Sequence, residues 1–218
     1  MNATATKVAN MDFKYFAEPV PHIIVDDFYT EKELKEIWQE LDFLTYSRKL
    51  MTPEATGAAY AMDAGGNKIY KKNNLGLFID GLYANRDLSN ILFHTRKIFD
   101  KDFLEKCQQQ NFLFKYLMQA NADFTLLSYY EDGAMYESHH DKAVITVLSW
   151  LYKEPKSFEG GDLTFTDHNY TIPIKNNRVF IFPSVAEHSV APVKMYEGVP
   201  KMAGFGRYVI TNFTTFRF

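Results

Sequence analysis

His139, Asp141 and, further along the chain, His188 are the residues whose types and spacing could do chemistry. In an extended strand, side chains two apart share a face, so the imidazole of His139 and the carboxylate of Asp141 can grip one ion together. A third ligand from His188 would complete a two-His, one-carboxylate set, which occupies one face of an octahedral metal and leaves three positions open. That set suits Fe(II), although Zn, Mn, Co or Ni could take the same ligands. His140 lies beside His139, but it has no carboxylate two positions on, and alternation places it on the opposite strand face from Asp141. It should not bind the ion. An isolated His is ordinarily a hydrogen-bonded core or surface residue, and His22, His94 and His168 keep that reading.

The residues around the three ligands carry a resemblance. Tyr130-Glu-Asp-Gly133-Ala-Met-Tyr136-Glu-Ser-His139-His-Asp141 resembles the Y-x-x-G-x-x-Y-x-x-H-x-D stretch of the prolyl 4-hydroxylase-like branch of the 2-oxoglutarate and Fe(II)-dependent dioxygenases. Phe158-Glu-Gly160-Gly161-Asp-Leu163-Thr-Phe165 is similar to that family's F-x-G-G-x-L-x-F, and His188-Ser-Val190-Ala-Pro192-Val193 to its H-x-V-x-P-V. Gly206-Arg207-Tyr208 resembles its closing G-x-R-Y strand. Four segments in the family's order make coincidence a poor explanation.

The resemblance implies His139, Asp141 and His188 as catalytic metal ligands, with Fe(II), 2-oxoglutarate and O2 as cofactor and co-substrates; ascorbate fits as an accessory reductant. It implies that Arg207 anchors the 5-carboxylate of 2-oxoglutarate by a bidentate, charge-assisted contact and that Tyr130 hydrogen-bonds the same molecule. Lys201 is the rival anchor, set in the Gly-rich run that separates His188 from Arg207. Tyr136 sits nearer the substrate side, and Thr146, Trp150 and Thr211 are candidates for lining the pocket. The implied reaction is oxidative decarboxylation of 2-oxoglutarate to succinate and CO2, coupled to hydroxylation of an unactivated C–H bond. Asp141 argues against halogenation, in which related enzymes replace the carboxylate with a small residue. The implied partner is a prolyl or other side chain in a peptide or protein, with a free amino acid or small metabolite as the alternative. A metal- or sugar-binding jelly roll without turnover is the non-enzymatic reading.

Composition bounds these expectations. The chain of 218 residues and 25.3 kDa is long enough to bury a proper core, and 46% hydrophobic residues argue against disorder. A net charge of −3 gives no basic field for nucleic acid, and Arg207 and Arg217 do not reproduce the arginine spacing of alkylation-repair dioxygenases. Cys107 is the only cysteine, so no intramolecular disulfide is expected. Met1 to Val20 lacks a secretory apolar run and no stretch approaches membrane-spanning length, which together suggest a cytoplasmic protein with no membrane partner.

The elements that must position the site follow from periodicity. Residues 1–218 read as one domain, with 1–120 as helical support and lid and 121–218 as the core that holds the metal. His22 to Val25 reads as a strand, and Thr30 with Glu33 forms a capping box for a helix carrying Leu34, Ile37, Trp38 and Leu41. Tyr46 to Asn85, broken only by Leu75 to Ile79, reads as a loop-dominated lid. Helical spacing recurs over Leu88 to Phe99 and from near Phe103 to Met118. Strands are then expected at Phe124–Tyr130, Val144–Tyr152, Leu163–Thr166, Tyr170–Ile174, Val179–Phe182 and Tyr208–Phe216. The fold class expected is mainly β with flanking helices (α+β) around a double-stranded β-helix, or jelly-roll, core.

Overall fold

A computed structural model describes residues 11–58 and 60–217. The first ten residues of the Met1 to Val20 segment therefore lie outside the described residues.

The chain opens with an antiparallel pair, β1 (Asp12–Phe16) and β2 (His22–Asp26), of which β1 was not foreseen from sequence. Helix α1 (Glu31–Tyr46) starts at the expected box: Thr30 accepts from the Glu33 backbone N–H and the Glu33 carboxylate accepts from that of Thr30. Between Tyr46 and Asn85 the loop-dominated expectation fails at one hairpin, and the apolar break at Leu75 to Ile79 holds a strand. Tyr60–Met62 (β3) and Lys68–Tyr70 (β4) form a hairpin, and Leu75–Phe78 (β5) joins the main sheet beside a longer strand. Glycine and asparagine there mark turns between strands, not an absence of structure.

The expected helix over 88–99 is shorter: α2 (Asn90–Thr95) is capped by the Ser89 hydroxyl and ends in a 3-10 turn. The stretch from Phe103 to Met118 is broken in two. Helix α3 (Lys101–Gln110) stops where Asn111 adopts an extended conformation and caps a new 3-10 turn with its side chain, before α4 (Lys115–Gln119). Asparagine competes for backbone hydrogen bonds, which periodicity alone does not register.

The remainder is strand: β6 (Ala122–Tyr130), β7 (Tyr136–His139), β8 (Ile145–Leu151), β9 (Phe158–Gly160), β10 (Leu163–Phe165), β11 (Tyr170–Ile172), β12 (Arg178–Pro183), β13 (His188–Val190), β14 (Val193–Met195) and β15 (Arg207–Thr215). The main sheet has the order β1-β2-β12-β8-β15-β6-β5, and a smaller sheet has β11-β10-β13-β7, with β14 and β9 as a further pair. This is the jelly-roll architecture expected, with non-consecutive strands adjacent through the middle of the main sheet, from β2 to β6.

Strict alternation sorts the main sheet's side chains between two cores. Val147, Ile181, Tyr208 and Ile210 face the helices, packing with Ile37, Leu41, Ile91, Leu92 and Phe103. Their sequence neighbours Leu148, Trp150, Phe180, Phe182 and Val209 face the small sheet, packing with Phe158, Leu163, Phe165 and Val190. β8 is buried along its whole length, as a strand covered on both faces must be. No helix among the described residues is long and apolar enough to cross a membrane.

His22 tests how dry the second core is. Its ring stacks on Phe16 at 4.9 Å and is bordered by Phe165, Tyr170 and Phe180, its Nδ1 bonds the Val20 carbonyl at 2.7 Å, and its buried Nε2 has no partner among the described residues. Burial lowers its pKa below 6.5. The unfolded chain therefore takes up a proton that the folded chain refuses. Stability should be full above the unfolded value and fall as pH drops below it toward the folded one. Urea unfolding at about pH 7.5 and about pH 5.5 should show this loss, and His22→Phe should shrink it. An unchanged pH slope in the variant would show that His22 is not held neutral.

Candidate metal centre

Cross-strand register assembles the three proposed ligands. His188 on β13 stands opposite His139 on β7, and directly opposed residues of an antiparallel pair share a face. Asp141 follows the end of β7, with its backbone N–H donating to the Ser184 carbonyl at 3.0 Å. One ligand atom from each of His139, Asp141 and His188 lies within 4.8 Å of the others. The His139 Nε2 is 3.8 Å from Asp141 Oδ1, and the His188 Nε2 is 3.7 Å from Asp141 Oδ2. One ion could be shared at these spacings.

The hydrogen bonds behind the triad fix which nitrogen is free. Nδ1 of His139 meets the Glu137 carbonyl at 2.8 Å, and Nδ1 of His188 meets the Ala186 carbonyl at 2.9 Å. A carbonyl can only accept, so each Nδ1 carries the proton and each Nε2 turns a lone pair toward the centre. Burial, reinforced by the neighbouring His188, pushes the His139 pKa down to about 3, so this imidazole is neutral and ready to ligate. Asp141 is pushed up by burial and pulled back by His188. The Thr146 hydroxyl donates to Asp141 Oδ2 at 2.7 Å and meets Ser184 Oγ at 2.8 Å, which orients the carboxylate. Sequence reading offered Thr146 only as a pocket-lining candidate, because its partner lies around a bend in the chain.

Opposite the triad, Arg207 is completely buried, and none of Nε, Nη1 and Nη2 has a hydrogen-bond partner among the described residues. It stands across from Tyr130 in the β15–β6 register, with its guanidinium 4.8 Å from that ring's centre and 5.7 Å from that of Trp150. The motif glycines make the room: a Cβ on Gly161 would come 2.8 Å from Arg207 Cδ, and one on Gly160 2.1 Å from the Pro192 carbonyl oxygen. Both have positive φ, so side chains are disfavoured twice over.

A cavity of about 50 Å³ joins these groups, lined by His139, Asp141 and His188, by Arg207 and Tyr130, and by Tyr136 and Thr211 among others. Tyr136 stacks on the His139 ring with centroids 3.5 Å apart. Lys201 is elsewhere, exposed in a surface pocket with Glu131 and Asp132. His140 turns outward to Glu187 at 2.9 Å, His94 meets Glu36 at 2.7 Å, and His168 is exposed. The donor set fits a divalent ion with open positions, and the orphaned guanidinium fits a carboxylate across the cavity from it.

Two outcomes follow. A desolvated cation without a counter-charge destabilises the ligand-free fold, so Arg207→Met should raise unfolding free energy by about 1–4 kcal/mol, and a loss would mean that Arg207 has a structural partner. Gly161→Ala should lower stability by about 1–2 kcal/mol and weaken binding at the Arg207 end, both checked by denaturation and ligand titration.

The family described as the 2OG-Fe(II) oxygenase superfamily matches residues 124–215. No curated protein matches the chain. Among solved structures, a prolyl-4-hydroxylase of Pseudomonas putida is similar with a TM-score of 0.58 at 16% identity, covering 92% of this chain and 95% of that one. An oxidoreductase of the 2OG-Fe(II) oxygenase family from Burkholderia pseudomallei gives a TM-score of 0.53 at 13% identity, covering 89% and 84%. A structure of prolyl 4-hydroxylases from Phytophthora capsici gives 0.53 at 16%, covering 89% and 58%. At these identities the structural likenesses show the fold. The superfamily implies Fe(II), 2-oxoglutarate and O2, which the donor set and the cation opposite it suit. The matched residues, 124–215, are the strands that carry the triad and Arg207, so the likeness to the 2OG-Fe(II) oxygenase superfamily falls on the site itself.

Proposed function

We propose that the chain is a hydroxylase in which His139, Asp141 and His188 hold Fe(II), Arg207 pairs with the 5-carboxylate of 2-oxoglutarate, and Tyr130 hydrogen-bonds the same molecule. The observation that carries this reading is the unpartnered, fully buried guanidinium sharing one cavity with the three ligands. A hydrolytic metal site has no use for a second, dicarboxylate-sized charge requirement. When bound, Fe(II) supplies oxidative decarboxylation: 2-oxoglutarate, O2 and a C–H bond become succinate, CO2 and a hydroxyl group, one oxygen atom entering each of the succinate and the alcohol.

The chain's own residues do the rest. Arg207 fixes one end of 2-oxoglutarate so that its other end meets the triad, a gain in orientation rather than in new chemistry. Thr146 keeps the Asp141 carboxylate turned toward the ion. Tyr136 walls the cavity beside His139, and burial around the triad excludes water from the reacting carbon. For the substrate, we favour a prolyl or other side chain of a peptide or protein, supported by the likeness to two prolyl-4-hydroxylase structures. A small metabolite is the second reading, favoured by the narrow cavity and by ligand side chains no more than 12% exposed.

Anaerobic addition of Fe(II) and 2-oxoglutarate should give a metal-to-ligand charge-transfer band in the native protein and none in Asp141→Ala. Tight Zn binding with no band would defeat the proposal. Arg207→Met should weaken 2-oxoglutarate, read from the same band, by about 10- to 100-fold, the range of a lost charge-assisted pair.

A further inference from the structure

A second buried cation stands beside the site with nothing to bind. Lys72 is only 7% exposed, and no hydrogen bond or ion pair holds its ammonium among the described residues, although Nζ itself keeps some contact with solvent. Its nearest recorded polar or aromatic contact is the face of Tyr136, whose ring centre lies 5.5 Å from Nζ. Lysine can ordinarily keep its ammonium in water by extending its stem, so a buried one without a counter-charge is costly to the fold.

Its placement is not a loose end of a loop. Residues 71–73 pass beside β7 at a single isolated bridge: Glu137 N–H donates to the Lys71 carbonyl at 2.8 Å, Met135 N–H donates to Asn73 Oδ1 at 2.7 Å, and Lys72 forms the antiparallel bridge with Tyr136. Residues directly opposed in such a bridge put their side chains on the same face. Tyr136 lines the cavity and Lys72 packs beside it on the same face, behind the lining rather than in it, while its neighbour Lys71 reaches the Ser138 carbonyl at 3.1 Å. Burial lowers the pKa of the ammonium below its ordinary value, and the negative charge of Asp141 offsets part of that. Arg207 already stands at the other end of the cavity, beyond Tyr130, so the two cations serve different positions.

We infer that Lys72 is a specificity residue that receives a carboxylate of the prime substrate as it approaches the triad past Tyr136. This rests on the dioxygenase reading above and narrows its substrate to molecules carrying an anion close to the hydroxylated carbon. The carboxylate of a free amino acid or other small acid and that of an acidic side chain or C-terminus in a peptide present the same chemistry. A rigidly placed, desolvated ammonium would bind either and leave a neutral amide with an unmatched charge, which is how polar sites discriminate strongly.

The experiment uses the full chain with Fe(II) and 2-oxoglutarate and a paired panel: free L-amino acids against their carboxamides, and short prolyl or acidic peptides against amidated or Gln-for-Glu counterparts. Succinate release and a mass gain of one oxygen are scored. The native protein should prefer carboxylates over matched amides by about tenfold or more, and the responding arm tells a small acid from a peptide. Lys72→Met should lose the preference, with KM for the preferred member up about tenfold, and Lys72→Arg should keep part of it. The charge-transfer midpoint for 2-oxoglutarate should be unchanged in Lys72→Met, and its thermal midpoint should rise. Equal response to acids and amides, silence of the whole panel, an unchanged KM or a fall in thermal stability would each overturn the assignment. A shifted 2-oxoglutarate midpoint would overturn it in favour of a co-substrate role. Absence of the band in the native protein would instead bring down the dioxygenase reading, and this inference with it.

Discussion

The site depends on one electrostatic constraint: a guanidinium sealed inside a jelly roll with no partner of its own. Arg207 is buried completely, and its three nitrogens are unsatisfied among the described residues. Burying a charge this way opposes folding, and the surrounding sheet has to hold it in place. Gly161 clears the space its stem occupies, and the rings of Tyr130 and Trp150 cushion its faces without neutralising it. The field of that charge is then directed into a small cavity whose other side carries two imidazoles and a carboxylate. The proposed co-substrate has the complementary form, an anion at one end and a metal chelate at the other.

Positioning on both sides comes from strand register rather than from loops. His139 faces His188 across β7 and β13, and Arg207 faces Tyr130 across β15 and β6, so the small and main sheets each contribute one paired set. The dry core of Phe158, Leu163, Phe165, Phe180 and Phe182 holds the sheets together at the depth where these sets meet. Bonds from backbone carbonyls to the Nδ1 atoms settle the imidazole tautomers, leaving little to rearrange when an ion arrives. Rigid elements hold polar groups to tighter tolerances than loops do, and most of this site is on strands or one residue or two beyond them.

Much of this was legible in the sequence. His139 and Asp141 declare themselves by two-residue spacing, and His140 does turn away to Glu187, although strand alternation is not the reason, because β7 ends at His139. Long strands with clear alternation, such as Phe124–Tyr130 and Tyr208 onward, were legible because each side chain is committed to one of two cores. Three-residue strands such as β9, β13 and β14 were not, since too few residues repeat to establish a period. Polar turn formers hid the β3–β4 hairpin, and Asn111 interrupted a helix that its hydrophobic spacing would have continued. The bond from Thr146 to Asp141 and the burial of Lys72 against Tyr136 are tertiary facts. No local pattern announces them.

The central claim is that the triad and Arg207 address the two ends of a single bound molecule. The most direct measurement is a crystal structure of the protein grown without oxygen in the presence of Mn(II) and N-oxalylglycine, unreactive substitutes for Fe(II) and 2-oxoglutarate. The account predicts the metal bonded to Nε2 of His139, a carboxylate oxygen of Asp141 and Nε2 of His188, with the far carboxylate of N-oxalylglycine on the guanidinium of Arg207. A metal bound elsewhere, or a ligand whose far carboxylate leaves Arg207 still unpartnered, would contradict it.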